Sequence, residues 1–159
     1  MKDLGKIRGD IVFSFLISLS VVVLDQLSKY FFKSQFSSGQ SLPIIKNIFH
    51  LTLVYNTGIA FGLFKSQTAL FIVLSAIAIF LVAFNIYNEV KRQQIDRVNW
   101  IGLSLILGGA IGNLIDRLSW GFVIDFLDFR IWPVFNIADS CITVGVILML
   151  IRCIPLFAK

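Results

Sequence analysis

At 159 residues the chain suits one domain spanning residues 1–159, and 57% hydrophobic against 14% charged residues excludes an ordinary water-soluble globule. The formal net charge of +5 does not signal nucleic acid, because the Lys and Arg residues stand between long apolar runs instead of forming one solvated face. One histidine, His50, and two cysteines too far apart along one helix to bridge, Cys141 and Cys153, supply no zinc motif, so neither a metal nor another cofactor is expected.

A crossing helix needs about 20 mostly apolar residues to span a hydrocarbon layer of roughly 30 Å. The first such run covers residues 11–32, where Asp25 and Lys29 interrupt it. Four positions apart on a helix, the two share a face and can pair, and a pair reaching toward the outer interface is preferred to a direct part in catalysis. Ser28 beside Lys29 suggests a serine/lysine nucleophile, but consecutive helix positions diverge and the base would reach poorly. The run is long for the apolar part of a signal peptide and no A-x-A-like site follows, so it reads as a retained helix.

Next, IFHLTLVYN (residues 48–56) is rich in β-branched and aromatic residues and reads as a short strand, with Asn56 and Gly58 at its end. The second run, residues 69–87, carries no charge, and Lys91, Arg92 and Arg97 follow it. The third, residues 98–115, contains Gly102, Gly108, Gly109 and Gly112, small residues that let helices approach closely in lipid. Asn113, Asp116 and Arg117 lie at its end. There a guanidinium complements the helix dipole, and contact with a substrate is an equal alternative. GFVIDFLDFRIW (residues 121–132) alternates in part and reads as a second strand. Ile48, Phe49, Phe126, Phe129 and Trp132 would pack on one another or enter the membrane interface. The fourth run, residues 137–151, opens beside Asn136 and Asp139 and includes Cys141.

The expected fold is therefore an all-α membrane protein with four transmembrane helices and a small extracytoplasmic β-sheet element. Basic residues before the first run (Lys2, Lys6, Arg8), after the second, and at the end (Arg152, Lys159) place both termini in the cytoplasm. Lys33, Lys46 and Lys65 weaken that asymmetry, but an even number of crossings independently puts both termini on one side. Residues 33–68 and 118–135 are then extracytoplasmic.

Polar residues gather at one depth. Asp25, Lys29, Asn56, Asn113, Asp116, Arg117, Asp125, Asp128, Asn136 and Asp139 all fall at the outer ends of the runs or in the segments joining them, although a charge near hydrocarbon costs at least ~2.5 kcal/mol. Taken alone, Asn136 and Asp139 resemble a capping box, and a cap is the preferred reading of Asp139. Asp125 is surrounded by large apolar groups in FVIDFL, which would raise its pKa. Burial beside a second carboxylate is the arrangement in which one acid stays protonated while the other ionises, and such a pair activates water directly. A His50–Cys141 thiol pair is disfavoured because Cys141 lies inside an apolar helix. A transporter is a weaker alternative, since these charges form one layer and not a chain across the bilayer.

DQLSK (residues 25–29), NTGIAFG (56–62), GGAIGNLIDR (108–117), GFVIDF (121–126) and FNIAD (135–139), in this order and between these runs, closely resemble the lipoprotein signal peptidase, or signal peptidase II, family. The resemblance implies an aspartic endopeptidase whose catalytic residues are Asp125 and Asp139, the latter more than a cap. It implies a substrate groove lined by Asn56, Gly58, Asn113, Arg117 and Asn136, with Asp25, Lys29 and Asp116 in support. The implied substrates are bacterial prolipoproteins, cut on the amino side of a diacylglyceryl-modified cysteine. A monomer in the bacterial inner membrane is expected, in contact with membrane lipids, with its site toward the outer leaflet and blocked by globomycin.

Overall fold

The computed structural model describes residues 2–58, 67–92 and 96–153. Residues 59–66, holding the second half of NTGIAFG and Lys65, and Lys159 lie outside them. In chain order the elements are α1 (Lys2–Gln35), β1 (Ser41–Ile45), β2 (Phe49–Asn56), α2 (Thr68–Arg92), α3 (Arg97–Trp120), β3 (Val123–Asp128) and α4 (Ile137–Cys153).

The helices are turned inside out relative to a soluble protein. Along α1 the buried positions are Ser14, Ser18, Val21, Asp25 and Lys29, a stripe at helical spacing, while Phe15, Leu24 and Leu27 on the other faces are more than half exposed. A polar inner stripe beneath an apolar outer skin suits a hydrocarbon solvent, where the apolar side chains face outward at no cost. Among the described residues, three helical segments have the length and hydropathy to cross a membrane: Arg8–Gln35, Thr68–Lys91 and Arg97–Trp120. The fourth helix, α4, has 17 residues, and at 1.5 Å per residue it covers about 25 Å.

α3 lies at the centre, packed on α1, α2 and α4. Small residues set the spacing, as their number in the third run suggested. A Cβ added at Gly109 would stand 2.5 Å from the Ala138 carbonyl oxygen, and one at Gly102 would stand 2.9 Å from that of Gly145. Against α1, the Ser14 and Ser104 hydroxyls meet at 2.5 Å, and Ser18 Oγ donates to the Ser104 carbonyl at 2.9 Å. Hydroxyls that return their bonds to protein can be buried there cheaply.

The sheet is antiparallel in the order β1-β2-β3. The two strands expected from sequence are present, and β1 is a third that the sequence reading missed. Pro43 argues against a strand in sequence, but β1 is an edge strand, where a missing N–H costs no ladder bond. β3 is also shorter than expected. It ends at Asp128, whose carboxylate accepts the N–H of Arg130 at 2.8 Å while Arg130 takes a left-handed φ of 65°. The expected aromatic packing is observed in part: Phe49 meets Phe129 with ring centroids 4.9 Å apart, whereas Trp132 is mostly exposed.

The sheet is fastened to the helix ends. Phe126 stacks on Phe32 of α1 at 4.1 Å, the Ile124 N–H donates to Asp116 of α3 at 3.0 Å, and Thr68 Oγ donates to the Gly121 carbonyl at 2.7 Å. Gly121 closes α3 with φ of 79°, its N–H donating to the Arg117 carbonyl. Arg117 therefore stands one turn inside the helix and not at its last residue, because the helix runs on to Trp120.

Candidate active site

Asp125 sits on β3 opposite Val54, and Asn56 comes from the end of β2, so the hairpin-like pairing of these strands brings the two side chains together. Asn56 Nδ2 donates to Asp125 Oδ2 at 2.9 Å. Asn136, at the entry to α4, donates from Nδ2 to the other oxygen, Oδ1, at 2.7 Å.

Asp139 lies in the first turn of α4. The capping box read from sequence is present: the Asp139 N–H donates to Asn136 Oδ1 at 2.9 Å, and the Asn136 N–H donates to Asp139 Oδ2 at 3.4 Å. The cap occupies one carboxylate oxygen. The other, Oδ1, accepts Asn113 Nδ2 of α3 at 2.7 Å. Asn136 thus touches both acids, and the capping and site placements of Asp139 are compatible.

Burial, and after it the nearby Asp139 carboxylate, push the Asp125 carboxyl up to about 7, against the opposing hydrogen bonds from Asn56 and Asn136 and the charge of Lys29. Such a group exchanges a proton near neutral pH, as acid–base work requires. Asp128, on the same strand, contrasts with it. Burial raises its pKa, but Thr52, the Arg130 N–H and the Arg130 guanidinium outweigh that and hold it below the ordinary carboxylate value. Asp128 belonged to the polar layer in sequence, but the structure sets it apart with Thr52 and Arg130.

Behind Asn113 is a second buried cluster. Lys29 Nζ pairs with Asp25 at 2.8 Å and with Asp116 at 2.9 Å, and donates to Asn113 Oδ1 at 2.9 Å. Asp25 and Lys29 are 0% and 1% exposed, which corrects the picture of a pair reaching out to the interface: the partners are inside, across on α3. Asp25 also accepts the Ala138 N–H at 3.0 Å, so a carboxylate of α1 helps to cap α4. The close approach depends on Gly112, since a Cβ there would lie 2.5 Å from Asp25 Oδ2. Gln26 completes the cluster with a hydrogen bond to Asp116 at 3.0 Å. Sequence reading passed over Gln26, although a glutamine in a lipid-facing run was itself a signal. Ser28 donates to the Asp25 carbonyl of its own helix and not toward Lys29, so the serine/lysine pair does not form.

Asp125 and Asp139 face a groove of about 390 Å³, within the range common for small-ligand sites. Asn56, Gly58, Asn113 and Arg117 line it with them. Phe71 and Leu74 of α2 and the segment from Trp132 to Phe135 supply apolar walls; Phe71 and Leu74 stand out in no motif, because single hydrophobic residues carry no pattern. The Arg117 guanidinium lies over the Phe71 ring at 5.4 Å and donates to its own helix at the Asn113 carbonyl, 3.4 Å away.

Helices of membrane length beside a half-apolar groove, faced by Asp125 of β3 and Asp139 of α4, suit the class of a membrane aspartic peptidase. Residues 17–155 match the family model described as Signal peptidase (SPase) II. The chain is 48% identical to the lipoprotein signal peptidase of Moorella thermoacetica, covering 84% of this chain and 87% of that one. It is 41% identical to the lipoprotein signal peptidase of Halothermothrix orenii, covering 86% and 92%. A solved structure described as a bacterial membrane enzyme, determined by the in meso method, aligns with a TM-score of 0.82 at 34% identity over 90% of this chain and 88% of that one. The chain belongs to the signal peptidase II family, aspartic peptidases that cleave the signal peptides of prolipoproteins.

Proposed function

We propose that this chain removes the signal peptide from diacylglyceryl-modified bacterial prolipoproteins, cleaving on the amino side of the lipidated cysteine, with Asp125 and Asp139 as its catalytic pair. The observation that carries the reading is the placement of these two acids: both face one groove, and each is held by asparagine amides. One carboxylate takes a proton from water as the water oxygen adds to the scissile carbonyl carbon, while its protonated partner donates to the carbonyl oxygen. When the tetrahedral adduct collapses, the C–N bond breaks and the cysteine nitrogen leaves with a proton from the pair. The two acids titrate as one coupled unit, so base and acid are roles of the pair.

Asn56, Gly58, Asn113 and Arg117 are the substrate-binding residues in this reading, whereas Asn136, expected to line the groove, is fully buried off it and holds the two acids. The guanidinium is suited to holding a peptide carbonyl with two parallel donors. Asp25, Lys29 and Asp116 support them. The apolar walls from Phe71, Leu74 and Trp132 suit a substrate whose lipid tails stay in the bilayer.

The same reading makes residues 1–159 one domain with four crossings. It has both termini in the cytoplasm, a site toward the outer leaflet of the inner membrane, and a monomer in contact with membrane lipids. α4 is short for a full crossing, but Asp139 in its first turn starts it at the depth of the groove, so it has less of the layer to cover. Globomycin is expected to compete with substrate.

The test uses purified protein in detergent and matched prolipoprotein peptides with and without the diacylglyceryl group. Cleavage before the modified cysteine, faster by orders of magnitude than with the bare peptide, is the expected result. Equal rates contradict the assignment.

A further inference from the structure

All three asparagines that meet the acids have their amide oxygen tied to a group that can only donate. The Gly58 N–H donates to Asn56 Oδ1 at 3.0 Å, the Asp139 N–H to Asn136 Oδ1 at 2.9 Å, and Lys29 Nζ to Asn113 Oδ1 at 2.9 Å. A backbone N–H and an ammonium offer no lone pair, so each amide must turn its oxygen toward that donor and its NH₂ toward a carboxylate. Two of these donors are backbone groups. The third is a side chain, Lys29, delivered from α1.

The ammonium has three protons, and the structure shows three acceptors: Asp25, Asp116 and Asn113. Asn136 Nδ2 also reaches Asn113 Oδ1 at 3.1 Å, but its two protons are shared with Asp125 at 2.7 Å and the Ile124 carbonyl at 3.3 Å. Lys29 is therefore the principal group that fixes which end of the Asn113 amide faces Asp139. It is fully buried and does not line the groove.

Resting on the reading of Asp125 and Asp139 given above, we propose that Lys29 is a positioning residue for the peptidase reaction: it holds the Asn113 amide in the orientation that gives its N–H to Asp139. Charge balance in the cluster is a separate role, and the two come apart by experiment. Lys29→Met combined with Asp116→Asn removes one base and one acid together, so the formal charge of the cluster is kept.

On a diacylglyceryl-modified prolipoprotein peptide, this double variant is expected to lose about 100-fold in kcat relative to the wild type, whose cluster charge it shares, against less than about tenfold for Asp116→Asn alone, with KM within about threefold. In an Asn113→Ala background, where no amide remains to be oriented, the same Lys29 change costs less than about threefold more. Equal losses in both backgrounds overturn the proposal and leave Lys29 a structural counter-ion.

If the Lys29 variants do not purify, Asn113→Asp decides. It keeps an acceptor for Lys29 and withdraws the donor from Asp139, and near-normal kcat there overturns the proposal. A wild-type protein that cleaves no such peptide sinks the peptidase reading instead. The positioning claim is then judged on the Asn113 side-chain amide by ¹⁵N NMR: slow hydrogen exchange in the wild type that becomes fast in the double variant supports it, and unchanged exchange overturns it.

Discussion

Two pairs of aspartates lie within one network, and they are held in opposite ways. Asp25 and Asp116 both contact the Lys29 ammonium, and backbone N–H groups of Ala138 and Ile124 take further lone pairs. Asp125 and Asp139 are met by neutral amides from Asn56, Asn113 and Asn136. Buried charges that are paired and fully hydrogen-bonded fix geometry. Asp125 and Asp139 receive neutral donors instead and face a groove, and burial holds the Asp125 carboxyl up at about 7. The first pair is a fastening between α1, α3 and α4, while the second is chemically poised.

The sharpest break of this comparison is Asp139→Asn. Asn caps a helix about as well as Asp but cannot exchange the proton that hydrolysis needs, so the variant is expected to insert, purify and bind substrate while cleavage falls by about 10⁴-fold or more. Asp125→Asn should match it, and the double variant should be hardly worse than either. Near-normal turnover would leave Asp139 as a cap and nothing more.

A fastening role for the first pair predicts a different loss. Asp25→Ala strands the Ala138 N–H and takes one acceptor from Lys29, and is expected to cost about 3 kcal/mol of stability in detergent denaturation. A cost well under about 1 kcal/mol would mean that the cluster carries little load.

The poised pair also predicts how stability depends on pH. With its folded-state pKa raised to about 7, Asp125 contributes stability that is fully present below the ordinary value of 3.8 and is lost as pH rises through 7. Unfolding followed across that window should show the decline in the wild type and a flatter profile in Asp125→Asn. The absolute gain at high pH will be partial, because one amide donor then faces another amide. An unchanged slope would remove Asp125 as the group responsible.

The smallest expected effect is Arg117→Lys, an approximately tenfold loss in kcat/KM with folding retained, since an ammonium cannot supply two parallel donors. Unchanged kinetics would return Arg117 to the helix-dipole reading.

The sequence alone determined the helices, because lipid demands long apolar runs and permits few polar interruptions, and each interruption was conspicuous for that reason. Asp25, Lys29, Asn113, Asp125 and Asp139 could be selected on cost alone, and the order of their motifs pointed to the family. Its local patterns also held the capping box of Asn136 and Asp139 and two of the three strands. What it did not hold was direction and pairing. β1 escaped because Pro43 is tolerated only where an edge leaves its missing N–H unneeded, and being an edge is a property of the sheet. Asp125 and Asp128 stand three apart in one strand, and Arg130 next to Asp128 is a local partner, yet only the tertiary structure gave Asp128 the Thr52 hydroxyl and Asp125 a second acid. That Lys29 serves Asn113 as well as Asp25 was likewise decided by the close approach of α1 to α3 at Gly112, since three-way contacts among distant segments leave no periodic trace in the chain.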